Sequence, residues 1–174
     1  MPDRVAMVTG AASGIGRAAV ELFVERGFGI VAVDWATDGL RWADDLAAVV
    51  AVTGDVATEA TNVAAVEVAL DRWGRLDVAI LNAGVVGSPA IEAEGAPERL
   101  DQVLAVNVKG VMLGIRHAAP AIRSSGGGAV VATASTSGLG GDPASWAYCA
   151  SKAAVINLVR AAAIDYAGQG VRIN

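Results

Sequence analysis

The stretch that decides the fold is Thr9–Gly16, which reads TGAASGIG. It follows a short apolar run and opens a predicted helix. Gly10 permits a backbone shape that a Cβ would forbid, Gly14 lets the main chain approach a pyrophosphate, and Gly16 lets the helix pack close to the strand. The helix N-terminus would then present N–H groups to phosphates. A tight strand-to-helix turn also uses glycines, but this placement favours a dinucleotide site.

Asp34 is the second indication of a dinucleotide site, because it ends the next apolar run 24 residues after Gly10. An acidic residue about 20 residues after the glycines is expected to bind the adenosine ribose hydroxyls. A carboxylate there would repel a 2′-phosphate, and neither Trp35 nor Ser13 supplies a cation. The sequence therefore favours NAD over NADP, the alternative being that Asp34 is a solvated carboxylate at a strand end.

Short apolar runs alternate with longer helical stretches along the whole chain. The predicted strands are Val5–Thr9, Ile30–Asp34, Val49–Thr53, Val78–Asn82, Ala129–Thr133 and Val171–Asn174. The predicted helices are Ile15–Arg26, Thr37–Ala48, Thr58–Trp73, Pro97–Arg123 and Trp146–Ala167. Pro120 is expected to end or kink the fourth helix near its last turn. Continuous Val/Ile/Ala strands in this rhythm predict a single α/β domain with a doubly wound parallel sheet covered on both faces.

Composition excludes several classes of function. The chain has 174 residues, 54% of them hydrophobic, and a net charge of −5, which argues against nucleic-acid and anionic-membrane partners. The lone cysteine, Cys149, permits no internal disulfide, and the apolar stretches are broken by charges or glycines. We expect a soluble, cytoplasmic protein.

The last predicted helix carries Tyr148 and Lys152, which share one face because they lie four residues apart. That spacing is too common to indicate chemistry by itself. The helix is apolar nearly all round, so it is expected to pack on the sheet and on a partner subunit, or to be an Ala-rich core helix. The first alternative predicts a homo-oligomer, either a dimer or a tetramer.

Six motifs in order resemble the short-chain dehydrogenase/reductase family, in its single-domain branch. They are TGAASGIG at Thr9–Gly16, GDV at Gly54–Val56, LNAG at Leu81–Gly84, VNVKG at Val106–Gly110, ASTSG at Ala134–Gly138 and YCASK at Tyr148–Lys152. The resemblance covers nearly the whole chain and implies a Rossmann-type fold. It also implies an NAD-dependent oxidoreductase that exchanges hydride with a secondary alcohol or ketone.

The resemblance also implies site residues. The cofactor-binding residues would be Gly10, Ser13, Gly14, Ile15, Gly16, Asp34, Trp35, Asp55, Val56, Asn82, Ala83, Gly84, Tyr148 and Lys152, with Asp55 at the adenine. The catalytic residues would be Asn107, Ser135, Tyr148 and Lys152. Ser135 is preferred to Ser137 because it lies three residues before Gly138 and 13 before Tyr148.

Each implied catalytic residue has a role in proton transfer or binding. Tyr148 would be the general acid–base, because the positive charge of Lys152 favours the phenolate. Lys152 would also hold the nicotinamide ribose, and Asn107 would hold a water that relays protons from Lys152. Ser135 would hydrogen-bond the substrate oxygen. No metal site is predicted, and the only histidine, His117, is interpreted as structural.

The pattern departs from the family at its end, because Val171–Asn174 reads VRIN and the sequence stops there. We expect residues 1–174 to be an NAD-binding domain that lacks the last part of the sheet and the C-terminal substrate loop. Val85–Ala90 and Leu139–Trp146 would supply the remaining pocket walls. The substrate is not predicted. Two alternatives stay open, a non-catalytic NAD-binding module and an inactive fragment.

Overall fold

A computed structural model describes residues 2–174, and its strands form one parallel sheet in the order β3-β2-β1-β4-β5-β6. The strands are β1 Val5–Thr9, β2 Gly29–Asp34, β3 Val49–Thr53, β4 Val78–Leu81, β5 Gly128–Ala132 and β6 Val171–Ile173. The helices are α1 Gly14–Glu25, α2 Thr37–Leu40, α3 Glu59–Trp73, α4 Ala96–Leu104, α5 Gly110–Ser124 and α6 Trp146–Asp165. The strand order reverses at β1, which confirms the doubly wound, Rossmann-type α/β fold.

Two apolar layers enclose the sheet. One layer joins β1 and β2 to α1 and α2, and the other joins the opposite sheet face to α3, α5 and α6. The predicted burial on both faces holds for β1, where every residue is buried. It holds only in part farther along the sheet, because Val78 and Ile80 are half-buried and Val131 is 39% exposed.

The predicted helix over Thr37–Ala48 is wrong. Only Thr37–Leu40 is α-helical, a single 3-10 turn follows at Arg41–Ala43, and the chain then runs irregularly to β3. Gly39 and the adjacent Asp44 and Asp45 are weak helix formers, so little favours continuation of the helix. Burial of Leu40 and Ala43 fixes the segment instead.

The predicted single helix over Pro97–Arg123 is also wrong in detail. A π-helical turn at Ala105–Lys109 separates α4 from α5, so the regular ladder of hydrogen bonds is interrupted in the middle. Pro120 does not end the helix, because α5 continues to Ser124. The remaining boundaries agree with the predictions to within two residues.

Helix α6 is the one helix within residues 2–174 that is long and apolar enough, by length and composition, to cross a membrane. The core helix of a soluble protein passes the same test. Here α6 packs on β6 and on the π-helical turn, and it buries two polar residues, Ser151 and Lys152, in the interior. Contacts with the domain thus cover one side of α6, while most of its residues are half-buried or exposed.

Candidate functional site

A cleft of about 390 Å³ opens where the chain leaves the carboxyl ends of β1 to β4. Among the predicted cofactor residues, those lining it are Gly10, Ser13, Gly14, Ile15, Asp34, Trp35, Asp55, Val56, Asn82, Ala83 and Gly84. Five further lining residues were not predicted to bind the cofactor, although Val85 was expected in a pocket wall: Ala12, Ala36, Gly54, Val85 and Val106. The cleft lies at the topological switch point of the sheet, where ligands of such folds bind.

The glycine loop brings the backbone of β1 and α1 into direct contact. Gly16 lies beneath the loop and does not line the cleft, and a Cβ there would be 2.0 Å from the Gly10 carbonyl oxygen. The side chain of Ser13 makes no capping hydrogen bond, and the first turn of α1 has no acidic residue. The first N–H groups of a helix have no intrahelical acceptor, so this end of α1 can bind an anion.

Two carboxylates, those of Asp34 and Asp55, hold the loops that follow β2 and β3. Asp34 Oδ2 accepts from the Ala12 N–H at 3.0 Å and Asp34 Oδ1 from the Ala36 N–H at 2.9 Å, which ties β2 to the glycine loop. Asp55 Oδ1 accepts from the Ala57 N–H at 2.8 Å. Each carboxylate oxygen can accept a second hydrogen bond, so both groups can still bind a ligand hydroxyl or amine.

The turn after β4 is fixed by hydroxyl groups of neighbouring strands. Thr9 Oγ1 accepts from the N–H groups of Asn82, at 3.0 Å, and Ala83, at 3.1 Å. Thr133 Oγ1 donates to Asn82 Oδ1 at 3.1 Å, which joins the end of β5 to the same turn. Sequence reasoning missed Thr9 and Thr133. Thr9 directly precedes Gly10, whereas Thr133 is far from Asn82 in sequence and carries no local signal.

Lys152 is the buried cation of the site, with only 3% of the residue exposed. Its Nζ donates to the Thr133 carbonyl oxygen at 2.5 Å and lies 5.6 Å from the centroid of the Tyr148 ring. Burial lowers the pKa of Lys152, because desolvation disfavours the charged ammonium. The structure thus brings the predicted Tyr–Lys pair together on one side of α6.

Asn107 lies in the π-helical turn and is fully buried. Its Oδ1 accepts from the Val85 N–H at 2.8 Å, and its Nδ2 donates to the Val85 carbonyl at 2.9 Å. A Cβ on Gly84 would lie 3.3 Å from Asn107 Oδ1 and 3.7 Å from Lys152 Nζ. Gly84 lines the cleft, so Asn107 and Lys152 lie next to the cleft wall at this point, although neither side chain lines the cleft itself.

Ser135 begins the 3-10 turn Thr136–Gly138, and its Oγ accepts from the Ser137 N–H at 3.1 Å. The turn packs directly on α6, since a Cβ on Gly138 would lie 2.8 Å from the Lys152 carbonyl carbon. The Ser137 hydroxyl is directed elsewhere and donates to Asp142 at 3.3 Å. The Ser135 hydroxyl therefore caps the turn that contacts α6, whereas the Ser137 hydroxyl is bound by Asp142.

Other titratable groups lie outside the site. His117 Nε2 is 3.0 Å from Glu59 Oε1, in a contact between α3 and α5. Within residues 2–174, no group of three or more His, Cys, Asp or Glu side chains is arranged to hold a metal ion. The candidate site therefore consists of the cleft and the Tyr–Lys turn, Tyr148–Lys152 of α6.

Comparison with known proteins places this geometry in a family. The model of the short chain dehydrogenase family matches residues 4–174. The chain is 39% identical to 2-(R)-hydroxypropyl-CoM dehydrogenase of Xanthobacter autotrophicus, over 99% of this chain and 72% of that protein. It is 36% identical to cyclohexanol dehydrogenase of an Acinetobacter species, over 99% and 70%.

A solved structure gives the same result for the fold. The crystal structure of 3-ketoacyl-(acyl-carrier-protein) reductase from Brucella melitensis complexed with NADH superposes with a TM-score of 0.90 at 34% identity, over 99% of this chain and 73% of that one. Fold, motifs and relatives agree, and the chain belongs to the short-chain dehydrogenase family of oxidoreductases.

Proposed function

We propose that the protein transfers hydride between NAD(H) and a secondary alcohol or ketone, with Tyr148 as the general acid–base. One observation carries the proposal most directly. Gly84 lies on the cleft wall beside both Asn107 Oδ1 and Lys152 Nζ, so a ligand filling the cleft would end at the Tyr–Lys turn. The relatives named as dehydrogenases and reductases support the same class of reaction.

The residues of the cleft fit a dinucleotide. The uncapped N-terminus of α1 would hold the pyrophosphate, Asp34 the adenosine ribose, and Asp55 the adenine. Glycines at positions 10, 14 and 84 expose backbone at three points of the cleft wall. When bound, the nicotinamide supplies the hydride chemistry, and the protein supplies orientation and proton transfer.

The choice of NAD over NADP follows from the Asp34 carboxylate. Its oxygens already accept from the Ala12 and Ala36 N–H groups, so these donors are not free to bind a 2′-phosphate. The carboxylate itself would repel that phosphate. Trp35, which follows Asp34 and is 54% exposed, offers an apolar surface at the cleft mouth rather than a cation.

Proton transfer would use four side chains near the cleft, of which Asn107 and Lys152 are buried and Tyr148 and Ser135 half-buried. Tyr148 would take the proton of the alcohol during oxidation and return it during reduction. Lys152 would hold the nicotinamide ribose and favour the phenolate by its charge, while Ser135 would donate a hydrogen bond to the substrate oxygen. Asn107 would hold the water through which the proton leaves.

We further propose a homo-oligomer built on α6. The buried residues of α6, such as Val155, lie on the side that faces the domain, whereas Ile164 is 76% exposed and Ala161 is exposed beside it. The same exposed side also carries Asn157 and Arg160. Contact with a second subunit would remove its apolar side chains from water. The oligomer number and a cytoplasmic location stay predictions.

The decisive experiment is a titration of the full-length protein with NADH and NADPH, followed by tryptophan fluorescence. NADH formation is then measured with NAD over a panel of secondary alcohols that includes cyclohexanol. Tyr148→Phe should leave NADH binding within about twofold and lower turnover by 10²-fold or more. Asp34→Ser should shift the affinity ratio toward NADPH.

Two results would contradict the proposal in different ways. A folded protein that binds neither cofactor would show that the cleft is not a dinucleotide site. Binding of NADH without turnover of any alcohol, or a fully active Tyr148→Phe variant, would contradict the catalytic role and favour a non-catalytic binding module.

A further inference from the structure

Ser151 is a fully buried polar residue. It lies within the YCASK motif, but the sequence predicts no role for it in the chemistry. Its hydroxyl donates to the Tyr148 carbonyl oxygen at 2.7 Å, on the same turn of α6. Its oxygen also accepts from Asn107 Nδ2 at 3.0 Å. One side chain therefore joins the turn that carries Tyr148 and Lys152 to the π-helical turn that carries Asn107.

The direction of both hydrogen bonds at Ser151 is fixed, because the hydroxyl has only one proton to donate. A serine hydroxyl has one proton, and the Tyr148 carbonyl can only accept, so that proton is committed to Tyr148. Ser151 Oγ can then only accept from Asn107, which requires the NH2 group of Asn107 to face α6. The same orientation places Oδ1 toward the Val85 N–H, at 2.8 Å.

The link also determines what Asn107 can present to the cleft. Both N–H bonds of its amide are used, one by Ser151 and one by the Val85 carbonyl. Oδ1 keeps one lone pair after accepting from Val85. It lies 3.3 Å, and Lys152 Nζ lies 3.7 Å, from the position that a Cβ on Gly84 would occupy. An acceptor held there suits a water that serves the Lys152 ammonium.

We infer that Ser151 is a positioning residue, which holds the Asn107 amide in register with the turn that carries Tyr148 and Lys152. This inference rests on the proposed function, because its kinetic consequence passes through the proton relay of Asn107. Without Ser151, one buried N–H of Asn107 would lack an acceptor, and the amide would lose its fixed orientation.

The first test observes the contact itself and needs no catalytic activity. In protein labelled with ¹⁵N-asparagine, the Asn107 side-chain amide signals are assigned by their loss in Asn107→Asp. Their exchange with solvent is then compared between the wild type and Ser151→Ala. We expect one of the two Asn107 amide protons to exchange at least tenfold faster in the variant. Unchanged exchange would overturn the inference.

The second test measures the consequence for turnover. With NAD and cyclohexanol, or the fastest alcohol of the panel, Ser151→Ala should lower kcat roughly ten- to a hundredfold while the NADH Kd stays within about twofold. Ser151→Cys should behave like the alanine variant, because it fills the space but makes only weak hydrogen bonds. A kcat within twofold of the wild type would overturn the inference.

Ser125 provides a matched control away from the cleft. Its hydroxyl donates to the Ala121 carbonyl at 2.8 Å and its oxygen accepts from the Leu76 N–H at 3.0 Å, the same pair of bonds that Ser151 makes. Ser125→Ala should lower Tm without changing kcat or the Asn107 signals. An equal loss of kcat in Ser125→Ala would show that the Ser151 effect is only a loss of stability.

A double-mutant cycle isolates the coupling between the two residues. If Ser151 acts through Asn107, the double variant with Asn107→Ala should be no more than about twofold slower than Asn107→Ala alone. Fully multiplicative losses would contradict the inference. An inactive wild type or an active Tyr148→Phe variant would instead contradict the proposed function, and the amide exchange would still decide the role of Ser151.

Discussion

The glycine loop, Thr9–Gly16, and the Tyr–Lys region, Tyr148–Lys152, are assembled by different kinds of contact. In the first, backbone meets backbone, as where Gly16 leaves no room for a Cβ against the Gly10 carbonyl. In the second, side chains reach carbonyl groups of distant elements, as where Lys152 donates to Thr133. Substitutions that add atoms should therefore disrupt the first region most, and substitutions that remove polar atoms should disrupt the second.

The largest expected effect tests the backbone-built region. In Gly16→Ala, the new Cβ would lie 2.0 Å from the Gly10 oxygen, and backbone cannot rotate away as a side chain can. We expect a loss of about 3 kcal/mol or more in the free energy of unfolding, the upper end for overpacking, and no measurable NADH binding. Thermal denaturation and fluorescence titration measure both.

Gly14→Ala is the comparison within the same loop. Its Cβ would meet no atom within 4 Å, and only the left-handed backbone, with φ of 53°, opposes it. The expected cost is about 1–2 kcal/mol. If Gly14→Ala were as damaging as Gly16→Ala, close approach of backbone would not be what the loop requires.

A smaller effect is expected at Gly138, where the backbone of the Ser135 turn packs against the α6 backbone at Lys152. Gly138→Ala would place a Cβ 2.8 Å from the Lys152 carbonyl carbon and move the Ser135 turn away from α6. We expect kcat to fall about tenfold or more, because misplacement of a catalytic group is costly, while the NADH Kd changes little. Steady-state kinetics and titration separate the two.

Gly140→Ala serves as the control in the same loop, since its Cβ would meet no atom within 4 Å and its φ is not positive. It should leave kcat unchanged. A comparable loss in both variants would mean that loop flexibility, and not contact with α6, sets the position of Ser135.

The pH dependence of stability tests burial in the second region. The pKa of Lys152 is lowered from its ordinary value of 10.5, so between the two values the unfolded chain binds more protons than the folded one. The contribution of Lys152 to the free energy of unfolding should therefore rise with pH across this window and level off above 10.5.

Urea unfolding of the wild type and Lys152→Met at several alkaline pH values measures this contribution. The free energy of unfolding of the wild type minus that of Lys152→Met should increase as pH rises. Lys109→Met, at the exposed lysine, is the control for general alkaline effects. A flat difference for Lys152→Met would mean that the ammonium is not desolvated by the fold.

The smallest effect is expected outside both regions. Arg41 and Asp38 form an ion pair at 2.8 Å, but their side chains are 75% and 84% exposed. Asp38→Asn should change the free energy of unfolding by less than about 0.5 kcal/mol, because solvent screens such pairs. A loss of NADH binding in Asp38→Asn would mean that residues outside the cleft also take part in NADH binding.

Sequence reasoning was accurate where contacts are local or periodic. The apolar runs predicted every strand of the sheet, and the glycine loop predicted the cleft at the switch point. It failed at Thr37–Ala48, where weak helix formers end the helix early, and in the π-helical turn around Asn107, where tertiary contacts override local preference. It also missed Thr133 and Ser151, whose hydrogen-bond partners are 51 and 44 residues away.

By itself the sequence determined the parallel α/β fold, the glycine loop, the acidic residue after β2 and the Tyr148–Lys152 spacing. Strand burial, turn glycines and helix periodicity are read from neighbouring residues, so no long-range information was needed for them. The hydrogen bond between Asn107 and Ser151, and the position of Asn107 and Lys152 near Gly84, depend on the tertiary structure. Such contacts join residues on different elements, and their distances are set by how the helices pack on the sheet, which no local pattern records.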